Sequence, residues 1–175
     1  MELSGYTYFW GGVFSQWHKA TFKDALELKY NCCEQYMMCQ KALLMNDNET
    51  YQKIRAEKNP RIQKSLGRQV ANWDEKIWKK EMLQVVYHGN MMKYLQNKSE
   101  RIELLATGNS LLVEASPLDL IWGIGLDARE AKLRHPENWP GKNYLGKTET
   151  LVREDILNGT FTDDVNAKFL ELGWL

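Results

Sequence analysis

Apolar residues recur at helical spacing through most of this chain. The longest periodic stretch runs from Asp74 to about Gln96, where Trp78, Met82, Val85, Met92 and Leu95 return at intervals of three, four or seven. Gly89 lies on that stripe and reads as a place where another backbone passes closely. Residues 32–45 form an earlier helix. Asp47 is placed to cap a second, running to about Glu57, and Asn59-Pro60 has the cap-then-proline order of a third, Pro60–Leu66, stopped by Gly67. Ser99 starts another helix that ends near Gly108, and Leu111–Ala115 is a short apolar strand candidate. Helices are also expected over Leu145–Leu157, stopped by Asn158-Gly159, and over Asp164–Leu172. The first 23 residues read differently. Thr7–Trp10 and Val13–Trp17 are strand candidates, and Thr21-Phe22 adds a third. About seven helices with a few short strands make an α+β, helix-rich fold, a single compact domain over residues 1–175.

One segment departs from this periodicity. Residues 116–144 hold three of the four prolines, three glycines and two tryptophans. A long aperiodic loop with this much apolar and aromatic content points to function rather than disorder.

Composition narrows the classes. The chain has 175 residues, 43% hydrophobic and 26% charged, ordinary for a soluble globular domain. Lys plus Arg and Asp plus Glu both number 23, which argues against a generic polyanion binder. Seven tryptophans and eight tyrosines supply either core or platforms for a flat ring. Cys32, Cys33 and Cys39 contain no CxxC pair, and His18, His88 and His135 are scattered, so no metal site is expected. Unpaired thiols suggest a reducing, cytoplasmic setting. No apolar run is long enough to cross a bilayer, and Met1–Tyr6 lacks the features of a secretion signal. No cofactor, membrane contact or obligate protein partner is inferred.

Within residues 30–44, Glu34 and Lys41 stand seven residues apart, about two helical turns, so they share one stripe among aromatic and sulfur side chains. A carboxylate and an ammonium in apolar company are costly to bury unless paired or used. On spacing alone a structural ion pair, or two solvated charges, is the plainer reading.

Several segments together change that balance. They are Phe14-Ser15-Gln16-Trp17; Asn31-Cys32-Cys33-Glu34-Gln35-Tyr36-Met37-Met38 with Gln40-Lys41-Ala42; Leu66-Gly67-Arg68; Asn72-Trp73; Asp119 with Trp122-Gly123-Ile124-Gly125-Leu126; and Trp139-Pro140-Gly141-Lys142-Asn143-Tyr144-Leu145-Gly146, then Arg153-Glu154. In this order, across most of the chain, they resemble the NADAR (YbiA-like) superfamily. The resemblance implies a helix-rich α+β fold with its pocket between the first long helix and the Gly/Trp loops. It also implies hydrolysis of the bond between ribose C1 and a nitrogen. Two substrates are linked to the family: a ribosylaminouracil phosphate of riboflavin synthesis, and ADP-ribose attached to guanine.

The residue chemistry can be set beside that resemblance. Breaking an N-glycoside builds positive charge on the sugar. A carboxylate near C1 stabilises it and activates water, and Glu34 is the candidate. Lys41 has two open roles. As an ammonium it binds phosphate or ribose hydroxyls, and as a desolvated amine it attacks an opened ribose aldehyde. Asp119 is the third candidate catalytic group, positioned to accept a ribose hydroxyl or hold water. Ser15 and Trp17 enter as substrate-binding candidates through the resemblance. Arg68 suits a phosphate, although a cation at a helix C-terminus also has a structural use. Trp73 suits base stacking or loop packing. Trp122, Gly123 and Gly125 are expected to let backbone approach a ligand. Lys142 and the amides at the following helix start suit a phosphate, and Asn143 either joins them or caps that helix.

Two features depart from the family pattern. Ile124 stands where some members carry an acid, and Asp127–Asn138 is a long charged segment that reads as a substrate-selecting lid. The leading expectation is therefore an N-glycosidase acting on a small phosphorylated ribosyl-amine or ribosyl-base. An ADP-ribosyl-guanine hydrolase, a non-catalytic ADP-ribose or NAD module, and a structural protein whose aromatics are all core are the alternatives.

Overall fold

A computed structural model describes residues 2–175. The helices are α1 (Cys33–Leu44), α2 (Asn48–Ala56), α3 (Pro60–Gly67), α4 (Glu75–Gln96), α5 (Lys98–Ala106), α6 (Ala128–Lys132), α7 (Tyr144–Asn158) and α8 (Val165–Glu171). Local chemistry sets most of their starts. The carboxylates of Asp47, Asp74 and Asp164 accept backbone N–H bonds from Thr50, from Lys76 and Ile77, and from Ala167. The Asn59 side chain does the same for Arg61, just after Pro60 enters the first turn. Each such cap satisfies donors the helix leaves open and is worth about 1 kcal/mol.

The strands are β1 (Tyr6–Phe9), β2 (Phe22–Lys23), β3 (Lys29–Tyr30) and β4 (Leu111–Glu114). β1 and β4 pair in parallel, with Tyr6 opposite Leu111 and Phe9 opposite Glu114. β2 and β3 form a short antiparallel pair. Val13–Trp17 is not a strand. Residues Gly12–Phe14 form a 3-10 turn, because Gly11 and Gly12 take positive φ and reverse the chain directly after β1. The aperiodic segment holds one helix more than periodicity foresaw: α6 starts on Asp127, whose carboxylate accepts from Arg129 and Glu130. Five residues are too few to show a helical period.

α4 is the central element, packed by α1, α5, α7 and α8. Its buried face is therefore wider than one stripe: Leu83, Val86, Tyr87, Asn90, Met91, Lys93 and Tyr94 are all buried, whereas Leu95 is exposed. What passes close to Gly89 is not backbone but the Tyr36 ring of α1, 2.9 Å from where a Cβ would stand. Gly67 likewise admits the Met38 side chain between α3 and α1. A second, smaller apolar cluster joins Val113 and Ala115 to Ile124, Leu126 and Ala131. Among the described residues, no helix is long and apolar enough to cross a membrane.

Two buried charges anchor the first segment. Lys93 and Glu149 are fully buried and 3.2 Å apart. Lys93 also donates to the Val13 carbonyl at 3.1 Å. This bond ties the Gly12–Phe14 turn, and with it Gln16 and Trp17, to α4. The Gln16 carbonyl then accepts from the Glu34 amide at 2.9 Å. A buried ion pair thus fixes the chain that borders the first turn of α1.

Candidate active site

Glu34 projects from the first turn of α1 and is only 4% exposed, with Oε1 buried and without a hydrogen-bond partner. An unpaired acceptor in such a place is expensive for a fold to keep. Burial pushes its pKa from the usual carboxylate range up to about 7, against the lowering influence of Lys64, the Trp17 side chain and Lys41. Asp119 adds to the rise.

Glu114, half-buried, carries a second unpartnered carboxyl oxygen. It ends β4, where side chains alternate between faces, so it shares the face of Leu112 rather than that of Val113 and Ala115. Leu112 belongs to the main core, so Glu114 is a carboxyl on a core-facing position. Its Oε2 is buried without a partner. Burial, then Asp119, pushes its pKa up to about 8. Lys64 opposes this, and Glu34 and Glu149 reinforce it. Its main chain is clamped: the amide donates to Asn143 Oδ1 at 2.9 Å, and the carbonyl accepts from Ile124 at 3.0 Å.

Lys41 does not use Glu34 as an ion-pair partner. Its Nζ lies 4.2 Å from the Trp73 ring centroid and 5.9 Å from that of Trp78. Burial lowers its pKa, Glu34 acts in the opposite sense, and Arg68 lowers it further. Trp73 is 45% exposed, so one of its faces is taken by Lys41 while much of the ring meets solvent. Trp17, 43% exposed, stands near Glu34 with Lys64 Nζ 6.0 Å from its ring. Arg68 is exposed just beyond α3. Ser15 Oγ accepts from the Trp17 amide, a local turn bond.

The loop candidates are arranged otherwise than expected. Asp119 Oδ1 accepts from the amides of Ile121 and Trp122, so one oxygen shapes the loop. Trp122 packs edge-on to Tyr144. Gly141 makes room for the Gly123 loop, since a Cβ there would collide with the Gly123 carbonyl and the Ile124 backbone, while a Cβ on Gly123 would press on the Asp119 and Glu114 carbonyls. Gly125, at φ +71°, faces Leu120 and Pro140. The close backbone approach is therefore loop on loop. Asn143 neither caps α7 nor faces outward. It adopts a left-handed conformation, donates to the Leu112 carbonyl and accepts from Glu114, joining α7 to β4. The amides of Asn143, Tyr144 and Leu145 are taken by the carbonyls of Gly123, Ile121 and Trp122, so the start of α7 is not a free anion site. Lys142 is exposed, with Nζ 3.3 Å from the Tyr144 hydroxyl. Gly141→Ala is expected to cost about 1–3 kcal/mol through overpacking, read as a melting temperature lowered by roughly 5 °C.

Glu34, Glu114 and Asp119 thus influence one another around Lys64, with Lys41 alongside. Among the described residues, no group of three His, Cys, Asp or Glu converges closely enough to hold a metal ion. Lys64 lowers the pKa of both Glu34 and Glu114, and Lys41 lowers that of Glu34. A cavity of about 380 Å³ lies elsewhere, between Tyr36, His88, Met91, Leu95 and Phe161. The three thiols are buried, and burial raises each pKa: Cys32 to about 11, Cys33 and Cys39 to about 12. They are not nucleophiles at neutral pH.

Lys64 and Glu114 join this group without having stood out in the sequence. Lys64 in α3 stands one helical turn before Arg68 at that helix's C-cap, a spacing legible in the chain. Glu114 was hidden at the polar end of a short apolar strand.

This fold, with its buried glutamate on α1 and its interlocked Gly/Trp loops, belongs to the NADAR family: the NADAR domain pattern matches residues 8–157. Across 169 residues the chain is 44% identical to N-glycosidase R617 of Acanthamoeba polyphaga mimivirus, covering 89% of this chain and 98% of that one. It is 30% identical to N-glycosidase YbiA of Shigella flexneri over 123 residues, covering 70% of this chain and 68% of that one. The NMR structure of YbiA from E. coli superposes with a TM-score of 0.73 at 24% identity, covering 91% of this chain and 89% of that one.

Proposed function

We propose that this protein is an N-glycosidase that hydrolyses the bond between ribose C1 and nitrogen in a phosphorylated ribosyl-amine or ribosyl-base. The observation that carries this reading is the buried, unpartnered carboxyl oxygen of Glu34, held at a pKa of about 7 beside Lys64 and Lys41. Such a group is ionised often enough at neutral pH to take a proton from water and is basic enough to keep it. Its charge also opposes the positive charge that grows on the sugar as nitrogen departs. A module that only binds its ligand has no use for so costly a group. Membership of a family whose relatives are named N-glycosidases agrees with the reading. A riboflavin biosynthesis protein of Zea mays, 33% identical over 110 residues that make up 16% of its length, favours the small riboflavin-type substrate.

In this reading Trp17 and Trp73 supply exposed ring faces for the base. Lys64 and Arg68 meet the phosphate, because the start of α7 is already bonded. The experiment is incubation with ribosylaminouracil phosphate and, separately, with ADP-ribosylated guanosine, with and without chelator, followed by mass spectrometry. Release of the aminouracil at a chelator-independent rate is expected. Release from guanosine alone would move the assignment to ADP-ribosyl-guanine hydrolysis, and turnover of neither would end it.

A second role for Lys41 is favoured by its lowered pKa. Burial shifts Lys41 toward its neutral form, and the neutral amine is the form that makes a Schiff base with the ring-opened sugar. Reduction with cyanoborohydride during turnover would then leave the ribosyl mass on Lys41. Direct attack by water leaves no adduct there.

A further inference from the structure

Five buried side-chain atoms are without hydrogen-bond partners among the described residues: Gln16 Oε1, Glu34 Oε1, Tyr94 Oη, Glu114 Oε2 and Glu149 Oε2. They are not scattered. Gln16 donates to Asn90, which also accepts from the Cys33 thiol one residue before Glu34. Glu34 acts on Glu114, Glu114 is acted on by Glu149, and Glu149 is acted on by Tyr94 and Lys93. Of the three glutamates, Glu149 already has Lys93 at 3.2 Å. Glu34 and Glu114 make no such close ion pair, and both are influenced by Lys64 and Asp119.

Cleavage of an N-glycoside makes two demands. Water must lose a proton, and the departing nitrogen must gain one, since a free amide or amine anion is a poor leaving group. One carboxyl cannot be ionised for the first task and protonated for the second. Enzymes meet this with two titratable groups whose surroundings separate their protonation states. Glu114 has the surroundings of the acid. One oxygen of its carboxyl is buried without a partner, and Asp119 of the loop after β4, Glu34 of α1 and Glu149 of α7 favour its protonated form while Lys64 of α3 opposes it. Its backbone is clamped by Asn143 and Ile124, so the carboxyl is carried on a fixed strand end.

We propose that Glu114 is a second catalytic carboxyl of this site, the proton donor to the departing nitrogen, with Glu34 as its basic partner. This rests on the N-glycosidase reading above. The C1–N bond breaks with its electron pair going to nitrogen, which takes the Glu114 proton. A water oxygen bonds to C1 and gives its proton to the Glu34 carboxylate. One proton then returns from Glu34 to Glu114, directly or through solvent, and the acid is restored. The sum is one water consumed, with one sugar hydroxyl and one N–H formed.

The test compares Glu114→Gln and Glu34→Gln on ribosylaminouracil phosphate across pH. For the unaltered protein, kcat/KM is expected to rise through about pH 7 and fall through about pH 8, the two limbs belonging to the pair. Glu114→Gln is expected to lose roughly 10²–10⁴-fold in rate, and its residual rate should lack the alkaline fall. A 4-nitrophenyl riboside 5-phosphate, whose leaving group departs without a proton, should be cleaved at nearly unaltered rate by Glu114→Gln and poorly by Glu34→Gln. Should Glu114→Gln misfold, the unaltered protein still decides, because its alkaline limb must be present for the aminouracil substrate. Persistence of the alkaline fall in Glu114→Gln, its absence from the unaltered protein, or full activity of Glu114→Gln on the aminouracil substrate would each overturn the proposal. Failure of the unaltered protein to cleave either substrate would overturn the glycosidase reading itself, and Glu114's role with it.

Discussion

Glu34→Gln is expected to lower kcat on the ribosyl substrate by roughly 10³-fold with little change in KM, because the carboxylate acts on charge that exists only in the transition state. The same change should stabilise the protein in alkali. The folded-state pKa of Glu34, about 7, lies above the unfolded value of ~4.3. Between these values the unfolded chain has released a proton that the folded one retains. This contribution to stability is therefore complete below pH ~4.3 and lost as pH rises through 7. At pH 9 the loss is on the order of 3 kcal/mol. Glu34→Gln removes that titration, so its melting temperature should exceed that of the unaltered protein at pH 9 by roughly 5–10 °C, with no such gain at pH 5. Thermal scans at the two pH values beside an activity assay measure both effects. A variant that loses activity and gains nothing in alkali would mean that Glu34 is not buried in solution. The pairing of lost activity with gained stability is what a group retained for chemistry, at the expense of folding, should show.

Lys93→Met is expected to have the largest effect on stability. It strands Glu149 in the interior and releases the Val13 carbonyl from its donor. Breaking one partner of a buried pair costs about 3–5 kcal/mol, a fall of roughly 10 °C in melting temperature for a chain of this size. Burial already holds the Glu149 pKa high, so its protonation softens the loss as pH falls, and the deficit should be larger at pH 8 than at pH 5. Lys93→Met combined with Glu149→Leu should recover much of it, since an apolar pair needs no compensation. Activity should recover less than stability, because the Val13 anchor that sets Gln16 and Trp17 beside Glu34 stays lost. If the single and double variants melt at the same temperature, the two residues are not coupled in the way their 3.2 Å contact requires.

The local parts of this structure were legible along the chain. The aspartates before α2, α4 and α8 and the Asn-Pro before α3 act through bonds spanning two or three residues, and each helix starts where its cap says. Glu34 and Lys41 were legible as one stripe because helical pitch is the same in every helix. That they would not pair was not legible. Lys41 went instead to Trp73 and Trp78, which reach it only when the start of α4 is brought against α1.

The chain by itself determined where helices begin, which side of α1 carries the charged pair, and membership of a family whose motifs extend from Phe14 to Glu154. Only the tertiary structure decided which acids share a proton-holding environment. Glu34, Glu114, Asp119 and Glu149 come from four separate elements, and burial raises the pKa of Glu34, Glu114 and Glu149 alike. Burial is a property of the assembled core, set by everything that surrounds a side chain. The same holds for Asn143 and Gly141, whose tasks became visible once the 120–125 loop lay against the start of α7. Capping, pitch and proline geometry act over a few residues and can be read from them, whereas desolvation and charge coupling act through space between residues that the chain keeps far apart.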